Sequence, residues 1–164
     1  MKHTLVGISG VAFALALAQS APAQEAASIV GVWKVKHIER KIVETGKVEK
    51  YFGENPGGIL VCTKGGSMTI MAFRNDRIAL VPGKATNDER AKLLATMYAG
   101  YGRCSVEGTK LVLSYDRSWH EAWSGKSFKI EHKVEGNTLT FTTDPIPQSD
   151  AGLSIVTTVY ERVE

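Results

Sequence analysis

From Ser28 onward, apolar and polar residues alternate in short runs, and turn residues separate the runs. Val30 to Lys41 sets Trp33, Val35, His37 and Glu39 on one face and Lys34, Lys36, Ile38 and Arg40 on the other, the period-two pattern of a half-buried strand. Thr45-Gly46-Lys47 is a turn, and Val48 to Phe52 continues as strand. After the loop Asn55-Pro56-Gly57-Gly58, the runs Ile59–Thr63 and Ser67–Phe73 flank Lys64-Gly65-Gly66, which predicts a tight hairpin. Tyr101–Val106 and Lys110–Arg117 flank Glu107-Gly108, and Phe128–Val134 and Thr138–Thr143 flank Glu135-Gly136-Asn137. The Pro-bearing stretch Asp144-Pro145-Ile146-Pro147 reads as a loop before a last strand, Leu153–Arg162. About nine strands at this spacing predict an all-β sandwich or barrel.

One segment departs from the alternation. Thr86 followed by Glu89 is a capping box, Ala91, Leu94, Ala95 and Tyr98 share one helical face, and Gly100 is a stop. These predict an amphipathic helix over 87–99 whose apolar face covers the barrel, either as a lid over a cavity or as a connector sealing one end.

The first 23 residues carry a different pattern. Lys2 begins a short positive region, Leu5 to Ala18 is mostly apolar, and Ala21-Pro22-Ala23 supplies the small residues a signal peptidase requires. The expectation is export to the periplasm or beyond, with cleavage after Ala23 and a single domain over 24–164. No Cys follows the cleavage position, so nothing suggests a lipid anchor. A mature chain of about 140 residues is long enough for one real core.

Composition narrows the function. The chain has 164 residues, 20 Lys+Arg against 17 Asp+Glu and a net charge of +3, too small and dispersed for a dedicated nucleic-acid binder. No later run is long and apolar enough for a membrane span. In an oxidising compartment the two cysteines, Cys62 and Cys104, form either a disulfide, worth about 4 kcal/mol in the chain-entropy model, or two buried thiols.

Candidate chemistry is sparse. Phe128, Ile130, His132 and Val134 share one face, Leu111, Leu113, Tyr115 and Trp119 another, and His37 points with Trp33 and Val35. An apolar cavity lined by His37, Arg103, Tyr115, Trp119 and His132 is what a small-molecule site looks like. Each also has a plainer reading: rim histidines that find a partner, core aromatics, and an Arg103 facing solvent. His37, His120 and His132 are zinc-capable side chains at spacings that match no known ligand pattern. No phosphate loop, nucleophile elbow or zinc-protease motif is present, and no pattern calls for a cofactor.

Taken in order, several segments resemble the bacterial lipocalin-like domain family, a calycin-type barrel group. They are Gly31-Val32-Trp33, the run from Tyr51 through Phe52-Gly53 and Pro56 to Leu60, Gly65-Gly66-Ser67-Met68 with Gly65 where Asp is usual, and Tyr98-Ala99-Gly100-Tyr101 with its second Tyr one residue early. Trp123-Ser124-Gly125, Leu139-Thr140-Phe141 and the closing Tyr160-Glu161-Arg162 complete the match, which runs from about Val30 to Val163. The resemblance implies an antiparallel up-and-down barrel of eight to nine strands with one inserted α-helix. It also implies a structural contact in which Arg162 stacks on Trp33 and seals the barrel base. Members often carry a His-His pair where this chain has Leu113 and Ser114, so no catalytic activity carries over. The expected function is binding of a small, largely apolar or amphipathic molecule. The alternatives are a ligand-free structural or stress-related envelope protein, and a small isomerase, cyclase or hydrolase using a cavity His as general acid or base.

Overall fold

The computed structural model describes residues 29–148 and 150–164. The segment read as a signal peptide lies outside the described residues. Among the described residues, ten strands and one complete helix follow in order: β1 Gly31–Ile42, β2 Val48–Lys50, β3 Gly57–Cys62, β4 Ser67–Phe73, α1 Asn87–Ala95, β5 Met97–Glu107, β6 Lys110–Ser118, β7 Ser127–Glu135, β8 Thr138–Thr142, β9 Ile146–Gln148 and β10 Gly152–Arg162. A short 3-10 turn, Glu121–Trp123, lies between β6 and β7.

All pairings are antiparallel. Each strand of the series β1-β3-β4-β5-β6-β7-β8-β10 bonds to the next, and β10 pairs back on β1 from Trp33↔Arg162 to Ile42↔Ser154. The result is a closed eight-stranded barrel, which leaves no wall strand with an open edge along its whole length. The two further strands pair only at the mouth, β2 on Glu39–Lys41 of β1 and β9 on Gly152–Ser154 of β10. There the wall rises as a four-stranded flap, β2-β1-β10-β9.

At the base, Trp33 is fully buried, its indole N–H donates to Ile29 O at 2.9 Å, and the Arg162 guanidinium stacks 4.0 Å above the ring. Arg162 also donates to Val30 O at 2.6 Å. The backbone crowds here: a Cβ on Gly31 would lie 2.4 Å from Glu164 O, and φ of +145° makes the position one that only glycine fills without strain. Cys62 and Cys104 are joined as a disulfide with Cα atoms 6.2 Å apart, tying β3 to β5 across a separation of 42 residues.

Three elements differ from the sequence expectation. The helix stops at Ala95, because Phe73↔Met97, Ala72↔Tyr98 and Met71↔Ala99 pair across to β4 and draw the following residues into β5. Its Thr86 capping box forms as expected. None of its residues is buried, however, and Leu94 is 52% exposed, so no apolar helix face covers the barrel. The Pro-bearing loop contains the short strand β9, in which Pro147 sits on an outer strand where a missing N–H costs little. Finally, the face of β1 changes partway. Val35 pairs Tyr160 but His37 pairs Val159, so a bulge at Lys36 resets the alternation. Trp33, Val35, Ile38 and Arg40 become the buried set, in place of Trp33, Val35, His37 and Glu39.

Candidate ligand site in the barrel

The inner surface is built from alternate residues of each strand. Leu111, Leu113 and Tyr115 of β6, Leu139 and Phe141 of β8, and Thr158 and Tyr160 of β10 are all buried. On β7, charged Lys129, Glu131 and Lys133 are exposed, while Phe128, Ile130, His132 and Val134 face inward and remain only half-buried. Phe128, Ile130 and Val134 pack on the core, and His132 stands opposite Phe141 of β8. The His132 Nδ1 atom is shielded from solvent and has no hydrogen-bond partner among the described residues. A buried polar atom left in that state costs on the order of 1–3 kcal/mol.

Tyrosines crowd this interior between the base and the mouth. The Tyr98 and Tyr160 hydroxyls are 3.3 Å apart. Burial pushes the Tyr98 hydroxyl above its ordinary pKa, and burial pushes Tyr160 well above it. Tyr115 is also raised, chiefly by burial and then by neighbouring Tyr98. All three stay protonated at neutral pH, so they offer hydrogen-bond donors and apolar rings and no basic phenolate. Tyr98 packs edge-on against Phe52 (5.7 Å), which packs on Tyr51 (5.2 Å).

Arg40 fastens the flap at the mouth. It is 6% exposed, donates to Glu49 Oε2 of β2 at 2.6 Å and to Asp150 Oδ1 at 2.8 Å, and lies 4.4 Å above the Tyr51 ring. The Tyr51 hydroxyl meets Gln148 Oε1 of β9 at 3.3 Å. One cation therefore ties β2 to the turn between β9 and β10, and two carboxylates offset the cost of burying it. Hydrogen bonds from Lys47 and then Arg40 pull the Glu49 carboxyl down to about 2.

The five side chains expected to line a cavity divide. Tyr115 and His132 are on the inner surface. His37 is carried to the outer face by the bulge in β1. Arg103 is exposed with Tyr101 and Ser105 on the outer face of β5, while Gly102 and Cys104 point inward, and it donates to Gly65 O at 3.1 Å. Trp119 is turned outward by a second bulge: Tyr101 pairs Arg117 but Gly102 pairs Tyr115, leaving Asp116 unpaired. Its indole N–H donates to Leu94 O at 3.1 Å. His120 stacks on Trp123 in the loop after β6, so His37, His120 and His132 stay apart, and no three potential metal ligands converge among the described residues.

Arg40, Tyr51, Tyr98 and Tyr160 are the site residues that alternation alone misses. Arg40 is hidden by the β1 bulge and Tyr98 by the helical spacing of its neighbours. Tyr160 was visible as the Tyr of the closing Tyr160-Glu161-Arg162, and its place two residues from Arg162 puts it on the inner face.

Two pockets open elsewhere, one of about 210 Å³ at the base beside the disulfide and one of about 340 Å³ on the outer wall of β4, β5 and β6.

Residues 30–163 match the family model of the lipocalin-like domain, and the chain belongs to that family. Its barrel is of a kind associated with ligand binding in general. No match of significance was found among curated proteins or among solved structures.

Proposed function

We propose that this is an exported barrel that binds a small, largely apolar molecule along the inner face of β7. The observation that carries the reading is that Phe128, Ile130, His132 and Val134 point inward yet are not fully buried, with a shielded His132 nitrogen among them that lacks a partner among the described residues. A ligand lying there covers three apolar side chains and brings one polar atom to His132 Nδ1. Each apolar residue is already mostly buried, so covering what remains contributes only a fraction of the roughly 1.5–3 kcal/mol that burying a whole side chain gives, before the cost of immobilising the ligand. The polar atom fixes orientation, as in other apolar sites with few polar groups. Support for export is the charge, apolar run and Ala21-Pro22-Ala23 of the first 23 residues, together with the disulfide.

A barrel filled by its own side chains, with a structural role in the envelope, is the competing reading. It draws on Trp33, Leu139 and Tyr160, which are fully buried inside the wall. Calorimetric titration with a panel of short-chain esters and alcohols separates the two. The binding reading expects saturable binding by the native chain. It also expects a loss of at least about tenfold in Ile130→Trp, whose larger ring would take a ligand's place on the inner face of β7, with the melting temperature retained. No binding across the panel, or equal binding by the variant, supports the filled barrel.

A further inference from the structure

We propose that the outer wall of β4, β5 and β6 carries a second binding site, separate from the barrel interior, for a soluble amphipathic anion: one apolar chain ending in a carboxylate, sulfate or phosphate. Two rows of outward side chains build it. In the first, Ala99 of β5 lies between Met71, its partner on β4, and Trp119, whose backbone N–H donates to Ala99 O at 2.8 Å. A methyl between two large apolar side chains leaves a groove. In the second row, Tyr101 lies between Thr69 and Arg117. The groove is shallow and open to solvent, with a volume of about 340 Å³, room for one alkyl chain lying along it.

The charge at one end selects the ligand's head. Arg117 is exposed, and among the described residues its side chain donates at 3.0 Å to the carbonyl of its neighbour Asp116. Among the described residues no carboxylate forms an ion pair with it, unlike Arg40 and Arg74. Arg103 follows Tyr101 by two positions on the same outer face, but its guanidinium turns to Gly65 O in the turn between β3 and β4 and does not line the groove. Arg117 is the only charged residue of the groove lining. A planar guanidinium beside an apolar trough is complementary to an anion with an apolar tail. The trough is preorganised, because Trp119 is fixed by Leu94 O and by edge-on packing on Trp123 at 5.4 Å.

Both bulge and helix serve this surface. The unpaired Asp116 turns Arg117 and Trp119 outward, and α1, which buries none of its own side chains, supplies the carbonyl that holds the indole.

Sodium dodecanoate, kept below its self-association concentration, is the probe, with dodecanol as its uncharged counterpart. The proposal expects a saturable shift of the Trp119 indole N–H signal in the native chain. Arg117→Gln lowers dodecanoate affinity by about fivefold or more and lowers the dodecanoate-to-dodecanol affinity ratio. Ala99→Leu fills the trough and weakens both ligands; if that variant does not fold, Tyr101→Ser serves in its place. Dodecanoate that perturbs the Ile130 methyls and leaves Trp119 unmoved overturns the proposal while leaving the barrel reading intact. An affinity unaffected by Arg117→Gln overturns it, as does a sedimentation result showing the groove buried between two copies of the chain. Binding only to anionic vesicles, with none to the monomeric probe, overturns it too.

Discussion

Arg162 acts on Trp33 through its charge and its plane, and on Val30 through a hydrogen bond. Arg162→Gln removes the first and weakens the second, and the expected cost is about 2–3 kcal/mol, read as a lowered urea midpoint with unchanged slope. Glu49 gives a pH-dependent prediction. Its folded pKa lies near 2, below its ordinary value of 4.5, so the stability it contributes is fully present above about pH 5 and is lost as pH falls toward 2. Glu49→Gln is therefore expected to be less stable than the native chain at pH 7, with the difference shrinking steadily toward pH 2. Urea midpoints measured across that range check it, and a constant difference contradicts it. At this scale the sequence was legible where the alternation is unbroken. Phe128, Ile130, His132 and Val134 on β7 face as read, and so do Leu111, Leu113 and Tyr115. It was not legible past a bulge, because one extra backbone residue inverts every later face without leaving a mark in composition. His37 and Trp119 were lost from the interior, and Arg40 gained, for that one reason.

At the scale of elements, α1 is a helix held by its cap and not by packing. Thr86 accepts from Glu89 N at 3.2 Å while Glu89 reaches back to Thr86 N at 2.8 Å, and no helix residue is buried. Thr86→Ala is expected to cost the helix about 1 kcal/mol. Hydrogen exchange should rise about fivefold over 87–95, with little change in the melting temperature of the barrel. A fall in global stability of the same size contradicts an independent helix. The capping box was readable because both partners are three residues apart in sequence. The helix end was not, because Met97, Tyr98 and Ala99 follow their cross-strand partners on β4 and override the helical spacing of Tyr98 with Ala91 and Leu94. The hairpins at 64–66, 107–108 and 135–137 were legible from their glycines, which carry the left-handed turns. Strand β9 is three residues long and exists only through pairing with β10, a relation that local pattern does not encode.

The closed barrel joins features no local stretch contains. The pairing of β1 with β10 brings Trp33 to Arg162 and Val35 to Tyr160, and the flap it extends holds Arg40 between β2 and the turn before β10. Fold was legible through an ordered set of short motifs, from Gly31-Val32-Trp33 to Tyr160-Glu161-Arg162, that agree with the family match over 30–163. The disulfide was legible as one of two options for a pair of cysteines, and the distance between β3 and β5 decides it. The ligand was not legible, because inner residues such as Ile130 and Phe128 specify apolar surface and little else. The proposed function requires that the chain be exported and that its barrel hold a small apolar molecule. Native mass spectrometry of the chain recovered from the periplasm, followed by denaturation of the same sample, tests it most directly. The expected result is a chain beginning at Gln24, lighter by about 2 Da for the disulfide, carrying a small apolar molecule that denaturation releases. An unliganded mass from the periplasm, unchanged when apolar extracts are added, would contradict it.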